Sequence, residues 1–297
     1  MSVANFIPTI WSARLLAHLD KAHVYAALVN RDYEGEIKNY GDTVKINQIG
    51  DVTIKNYTKG KDIDDPEELS GDQNTLTIDQ AKYFNFSIDD VDAAQVNPKL
   101  MDAAMQRSAY AMNDTTDLFL ANLLYLGAVN NGENLGSDTA PIVPAKDNAY
   151  DYLVDLSTDL TEKNVPTIGR WAVIPAWYHG LLLKDSRFVG NGTDYNKALI
   201  EGGEIGVAAG FRIWLSNNVP NTEGTKYKII AGTNAAGSYA EQIIKTEAYR
   251  PEKRFSDAVK GLHVYGAKVL QPKCISVLTV NKSATTPTPT PGENGSN

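Results

Sequence analysis

Asp42-Thr43-Val44-Lys45-Ile46-Asn47-Gln48-Ile49 and Thr75-Leu76-Thr77-Ile78, continued through Phe84, Phe86 and Ile88, decide how this chain is read. In the first stretch Val44 and Ile46 share one face and Thr43, Lys45 and Asn47 the other. After Gly50-Asp51 the alternation resumes at Val52 and Ile54. In the second, Leu76, Ile78, Phe84, Phe86 and Ile88 keep one phase. Period-two alternation marks strands with one buried face. Between the strands, residues 59–73 (Lys59-Gly-Lys-Asp-Ile-Asp-Asp-Pro-Glu-Glu-Leu-Ser-Gly-Asp-Gln73) are charged and turn-rich and read as a loop tip. The segment Asp32–Ile88 has too little apolar surface for a core of its own, and a lone hairpin is marginal in water. It is expected to lie across another surface, which in an assembling protein belongs to a neighbouring subunit.

Composition narrows the classes. The chain has 297 residues, 42% of them hydrophobic, enough for a sizeable core and about two domains. A net charge of −8 argues against nucleic-acid binding by the subunit as a whole, because tracking phosphates needs clustered Lys and Arg. A single cysteine, Cys274, precludes an intrachain disulfide and reads as a buried, inert thiol. No basic segment followed by an apolar one opens the chain, and nowhere do eighteen uncharged apolar residues run together, so neither a signal peptide nor a membrane span is expected.

Around the decisive stretch the chain falls into recognisable pieces. Phe6-Ile-Pro8 is extended, and a helix is expected from about Thr9 to Val29, with Leu15, Leu16 and Leu19 broadening its apolar stripe. That helix reads equally as packed on its own domain or as an arm on a partner. Asn97-Pro98 is a helix start, since Asn caps and Pro fits the first helical position. The helix should run to Leu126 with Gly127 as its stop. At 1.5 Å per residue it spans roughly 43 Å, far beyond the usual helix. Ala103, Ala104, Ala109 and Ala111 allow close approach in its first half, while Leu118, Phe119, Leu123 and Leu124 load its second half with apolar bulk. Ala149, Leu153, Leu156 and Leu160, spaced 4, 3 and 4, form one helix face. Trp171–Ile174, Phe211–Leu215, Tyr227–Ile230, His263–Leu270 and Cys274–Leu278 read as strands, and Pro175 opens a helix through Leu183. The final Pro/Thr tract is an extended spacer.

Catalytic constellations do not emerge. No phosphate loop is present, and the Gly-rich run 202–210 follows no strand of a βαβ unit, so it reads as loop and turn. His18, His23, His179 and His263 lack metal-ligand spacing, and the acidic run from Asp62 to Glu68 lacks that of a calcium loop. No Gly-x-Ser-x-Gly elbow occurs. Lys245, Arg250, Lys253, Arg254 and Lys260 form a basic cluster, but Glu247, Glu252 and Asp257 interleave with it, which suits interfacial salt bridges better than phosphate. No catalytic residue, metal or cofactor is assigned.

The order of arm, extended hairpin, very long helix, α/β domain and return strands resembles the major capsid (coat) proteins of tailed bacteriophages with the Hong Kong 97-type fold. Phe6-Ile-Pro-Thr-Ile-Trp-Ser-Ala-Arg-Leu-Leu16 resembles their arm, and Tyr40-Gly-Asp-Thr-Val-Lys-Ile46 their entry into the hairpin. Gly206-Val-Ala-Ala-Gly-Phe-Arg-Ile213 with Ser216-Asn-Asn-Val-Pro220 is similar to their late α/β strand. Arg250-Pro-Glu-Lys-Arg-Phe255 with Gly261-Leu-His-Val-Tyr-Gly-Ala267 is similar to their C-terminal return. The likeness covers residues 3–280.

The resemblance implies an α+β fold: an N-terminal arm (1–30), an extended β-hairpin loop (31–82), a peripheral domain (83–134 and 261–281) with spine helix 97–126, an axial α/β domain (135–260) and a Pro/Thr-rich tail (282–297). It implies a structural protein, not an enzyme. Pentamers and hexamers of it would build an icosahedral shell in the host cytoplasm, enclosing double-stranded DNA without sequence-specific binding and without a membrane. Expected partners are copies of itself, a separate scaffolding protein, a portal and a decoration protein. Candidate interface residues are Phe6, Trp11, Tyr40, Tyr57, Asp64, Glu67, Glu68, Arg250, Lys253 and Arg254. The rival readings are an encapsulin-like shell around cargo, an α/β hydrolytic enzyme, and a surface module suggested only by the Thr-Pro tail.

Overall fold

The computed structural model describes residues 24–33, 40–49, 53–54, 56–57, 59–60, 62, 65, 71–89, 99–185, 204–253 and 256–282. Phe6–Pro8, most of the expected first helix, Asn97-Pro98 and the Pro/Thr tract lie outside them. The chain divides into two compact units, residues 1–127 with 233–274, and residues 128–232 with 275–297.

The first unit is organised on a three-stranded antiparallel sheet, β10 (Gly237–Tyr249), β11 (Ser256–Val269) and β3 (Gln80–Asp89), in that order. Helix α1 (Lys99–Val129) covers one face: Met105, Ala109 and Met112 meet Val259, Phe84 and Phe86, and Phe119 meets Tyr265 edge to face at 5.5 Å. The hairpin β1 (Thr43–Ile49) and β2 (Gly71–Thr77) covers the other, with Val44, Ile46, Leu76 and Ile78 packed on Ala240 and Val264. The parity along β11 explains the split: 259, 261 and 265 point to the helix, 262, 264 and 266 to the hairpin.

Four sequence expectations change here. The apolar face of the hairpin is not left for a neighbour; its base is buried against its own chain. The single apolar phase from Leu76 to Phe86 breaks at Ile78-Asp79, so that Leu76 and Ile78 join the hairpin layer and Phe84 and Phe86 the helix layer. A period-two pattern cannot register a corner between two strands. The loop tip ends earlier than expected, because Gly71, Asp72 and Gln73 are paired with Ile49, Gln48 and Asn47. Ile54, expected in a strand, lies outside any.

Glycines set the separation of the layers. A Cβ on Gly266 would meet the Thr77 carbonyl oxygen at 2.3 Å, and one on Gly261 would meet the Phe84 ring at 2.4 Å. Gly127 plays the same part and does not stop α1: a Cβ there would meet Val269 Cγ2 at 2.6 Å. The helix stops at Gly132 (φ 76°), with Glu133 N–H donating to the Ala128 carbonyl and Gly132 N–H to that of Val129, a Schellman closure. Leu118, expected in the apolar load, is 39% exposed, while Leu120, Ala121 and Leu124 are buried. The described end of the expected N-terminal helix, Tyr25–Ala27, is a single 3-10 turn.

The second unit is built on a seven-stranded mixed sheet. Its order is β4 (Asn134–Leu135), β12 (Ile275–Asn281), β9 (Lys226–Gly232), β5 (Trp171–Ile174), β7 (Phe211–Leu215), β6 (Glu204–Ala208), with β8 (Asn221–Thr222) also paired to β9. β5 and most of β12 and β9 are buried on both faces, which suits central strands with covered faces. Helix α2 (Ala149–Glu162) packs on β12 and buries Ala149, Leu153, Leu156 and Leu160, the face read from their spacing. Helix α3 (Ala176–Leu182) follows Pro175. The Gly-rich run turns out to hold a strand: β6 joins β7 through Ala209 (φ 51°) and Gly210 (φ 83°), the left-handed pair that a tight hairpin requires.

Two buried cations tie this unit together. Arg170 donates to carbonyls of Ser157, Val165 and Pro166 and to the Thr161 hydroxyl, so its charge sits at the C-terminal end of α2, where the helix dipole favours it. Lys228 reaches Asp138 at 2.5 Å and the Thr222 hydroxyl at 2.6 Å. The Lys228 hydrogen bond, outweighing desolvation, holds the Asp138 carboxyl below the usual range. Its contribution to stability is therefore present above the ordinary carboxylate pKa and is lost as pH falls through the depressed value.

Gly266→Ala should destabilise the subunit by about 1–3 kcal/mol, because the layers cannot part without losing the hairpin's packing; chemical denaturation measures it. The buried and exposed sides of α1 are separated by a pair of variants. Leu124→Asp should cost about 3–5 kcal/mol, whereas Leu118→Asp should stay within about 1 kcal/mol in the isolated subunit. Equal melting temperatures for the two would contradict this assignment of faces.

Candidate assembly interface

The described chain begins at a point held by charge. Asp117, buried midway along α1, accepts the N–H of Val24 at 2.8 Å and of Tyr25 at 3.2 Å. A buried carboxylate inside a helix is costly unless hydrogen-bonded, and these donors supply part of that requirement. Asn30 then bridges to β10: its N–H donates to the Gly237 carbonyl and its carbonyl accepts from Tyr239 N–H. Arg31 pairs with Glu241 at 2.6 Å. The second carboxylate oxygen of Glu241 accepts from the Tyr239 hydroxyl at 2.6 Å and from His263 Nε2 at 3.0 Å. Burial first, and the Glu241 charge second, push the Tyr239 phenol well above its ordinary value, so it stays a donor. Residues 24–31 are thus rooted on the first unit by backbone and by charge.

Two concave surfaces flank the three-stranded sheet. On the hairpin side, beyond the reach of β1 and β2, Tyr83, Asn85, Glu247, Lys260 and Leu262 line a cleft of about 410 Å³. Lys260 pairs with Glu247 at 3.0 Å and lies 5.1 Å from the ring centroid of Tyr249, whose hydroxyl meets the Asn85 amide. Tyr83 is 79% exposed. On the other flank, β3 and α1 enclose a groove of about 610 Å³, with Phe84, Phe86, Ala111 and Met112 among its apolar lining and Lys82 and Arg107 as its charged residues.

Of the residues singled out from sequence, Tyr40 (60% exposed), Tyr57 (75%), Arg250 and Lys253 are exposed. Phe6, Trp11, Asp64, Glu67, Glu68 and Arg254 lie outside the described residues. The structure adds Tyr83, which sequence reasoning passed over, and joins Lys260 of the basic cluster to Glu247 in an ion pair. Tyr83 falls between Phe84 and its neighbours in the opposite phase, and that alternation was the available signal. Ile54, at 95% exposure, belongs with Tyr57 in the loop between β1 and β2. Among the described residues no three His, Cys, Asp or Glu side chains could hold a metal, and no helix is long and apolar enough to cross a membrane. Cys274 is buried, donates to Gln271 and has its thiol pushed up by burial.

Residues 73–278 match the model of a family described as phage capsid protein. Among solved structures, a chain from Mycobacterium phage Che8 aligns with a TM-score of 0.67 at 31% identity, over 86% of this chain and 90% of that one. A chain from the capsid of Cyanophage P-SCSP1u gives 0.65 at 16% identity, over 89% of each. A chain of a virus-like particle from Pyrococcus furiosus gives 0.54 at 15%, over 90% of this chain and 97% of that one. The last two are likenesses of fold alone. No curated protein matches. Matched over most of its length by that family model, and sharing nearly a third of its residues with a phage protein of the same architecture, the chain belongs to the phage capsid protein family and carries the Hong Kong 97-type fold.

Proposed function

We propose that this chain is a major capsid subunit that assembles as pentamers and hexamers into an icosahedral shell around phage double-stranded DNA. The observation that carries the reading is the loop between β1 and β2. The ladder ends at Ile49–Gly71, and the described residues beyond it expose Ile54 and Tyr57 almost fully in the isolated chain. Large apolar side chains left in water on a long loop are characteristic of surface that a partner covers. In a symmetric shell each such contact is repeated by every copy, so modest contacts add up to a stable assembly.

On this reading residues 1–30 form the arm, 31–82 the extended loop, 83–134 and 261–281 the peripheral domain with its spine helix α1, 135–260 the axial domain and 282–297 a tail; the two compact units divide the chain differently, grouping 233–260 with the first and 275–281 with the second. The net charge of −8 fits a container that holds DNA without gripping it. Assembly takes place in the host cytoplasm with a separate scaffolding protein and a portal, and a decoration protein binds outside. Phe6, Trp11, Tyr40, Tyr57, Asp64, Glu67, Glu68, Arg250, Lys253 and Arg254 serve contacts between copies. An encapsulin-like cargo shell is the less favoured relative of this reading; the virus-like particle of Pyrococcus furiosus shares the fold at 15% identity. A hydrolytic enzyme has less support still.

Electron microscopy of the purified protein, alone and with its scaffold, should show closed shells or pentamers and hexamers. A monomer under every salt and scaffold condition would refute the function. Replacing residues 59–70 by a short Gly-Ser turn, which spares the β1–β2 ladder, should leave the subunit's melting temperature within about 2 °C, because surface changes away from the core cost at most about 0.5 kcal/mol. The same variant should fail to form shells. Normal assembly would show that the loop is not a contact.

A further inference from the structure

We propose that His263, Glu241 and Arg31 form a proton-operated latch. With His263 neutral the chain is held at Arg31 on β10; with His263 charged that hold is released. The latch lies within one chain, so its test does not depend on shell formation.

His263 stands on β11 and is 1% exposed. Its Nε2 lies 3.0 Å from Glu241 Oε2, and its Nδ1 is buried with no hydrogen-bond partner among the described residues. In the neutral ring one nitrogen carries the proton, and the contact with the carboxylate assigns it to Nε2. Glu241 Oε1 takes Arg31 at 2.6 Å, and Oε2 also accepts the Tyr239 hydroxyl at 2.6 Å. The other ionisable groups on this face are Tyr265, two places along β11, and Lys82, directly across the ladder on β3. Helix α1, which covers the face, contributes Arg107 and Asp117, with Tyr25 held beside Asp117.

Histidine is the side chain whose charge changes between about pH 8 and pH 5. Here the added proton goes to Nδ1, because Nε2 already carries one. It creates an N–H that meets no acceptor, and a second cation beside Glu241 with Lys82 opposite. One carboxylate cannot neutralise both His263 and Arg31. Exposure decides which of them leaves: the Arg31 side chain is 31% exposed and that of His263 1%. Water solvates the guanidinium as it swings out, whereas the imidazolium reaches water only if β10 and β11 part. Losing Arg31 loosens the neighbouring bridge, in which Asn30 N–H donates to the Gly237 carbonyl and the Asn30 carbonyl accepts from Tyr239 N–H. The anchor at Val24 and Tyr25 rests on Asp117 and has no histidine in it, so it stays. Tyr33 packs beside the cluster of Val44, Ile46, Leu76 and Ile78. Acid therefore frees residues 30–33, where the chain passes from the sheet to the hairpin, and leaves the rest of the fold in place.

Amide hydrogen exchange on the full chain, read by mass spectrometry and corrected for the intrinsic pH dependence of exchange, tests the latch. From about pH 7.5 to about pH 5.5 the protection of the Asn30 and Tyr239 amides should fall about tenfold, within the hundredfold that one proton allows over two pH units. Amides of β12 should keep theirs. His263→Gln donates to Glu241 and takes up no proton, so its protection should stay high at both pH values. Arg31→Gln should show the low-pH level already at about pH 7.5 and change no further. Equal wild-type protection at the two pH values overturns the proposal, as does a fall of the same size in His263→Gln. Should His263→Gln fail to fold, Arg31→Gln decides alone: a tenfold fall on acidification that persists in it refutes the latch.

Discussion

Everything in the first unit depends on β11 having both faces covered at close range. One face receives α1, the other the base of the β1–β2 hairpin, and the missing side chains of Gly261 and Gly266 set how near each layer comes. The Phe84 ring takes the space over Gly261, so the position loses flexibility without losing packing. Gly127 does the same for the end of α1 against Val269. A three-layer arrangement of this kind stabilises a hairpin that could not persist alone, and it does so within one chain.

The polar residues inside this unit follow the same economy. Asp117 is buried in a helix that would ordinarily reject it, and its carboxylate accepts the backbone donors of Val24 and Tyr25. Glu241 gathers Arg31, Tyr239 and His263. Each carboxylate joins the entering chain to an element far away in sequence, the first to α1 and the second to β10 and β11. Removing one member of such a network leaves the others buried and short of partners, which is why these contacts specify the path of the chain as well as stabilise it. For a shell subunit this matters mechanically. Residues 24–31 are anchored to the helix and sheet on which the rest of the unit is built.

The surface divides by the same logic. Where the hairpin ends, Tyr83, Lys260, Glu247 and Tyr249 form a mixed aromatic and charged face; along the edge of β3 an apolar groove opens under two cations. Neither gathers titratable groups for chemistry, and both have the composition of surfaces that meet protein. Membership of the phage capsid family and a fold shared with other phage shells give these surfaces their context.

Much of the architecture was legible in the residues themselves. The alternation in 42–49, the 4-3-4 spacing of Ala149, Leu153, Leu156 and Leu160, and the unbroken apolar run Trp171–Ile174 depend on local periodicity, and each appears as read, whereas the single phase read over 75–88 divides at Ile78-Asp79 between two layers. The long helix also appears, since its length needs only the absence of breakers. The tertiary structure alone decided which surface each pattern faces. Leu118 and Leu124 are alike in sequence, yet one is 39% exposed and the other in the core, because what covers α1 comes from other elements, β3, β11 and the segment at Val24-Tyr25, which the helix's own pattern does not name. Gly127 reads as a stop and is a contact; the stop is Gly132, where the backbone turns left-handed. The hairpin reads as lacking a core and finds one on Ala240 and Val264. Periodicity records that a face is apolar, but the identity of what covers it is a long-range property, set by strand register and by the close approaches that glycine permits.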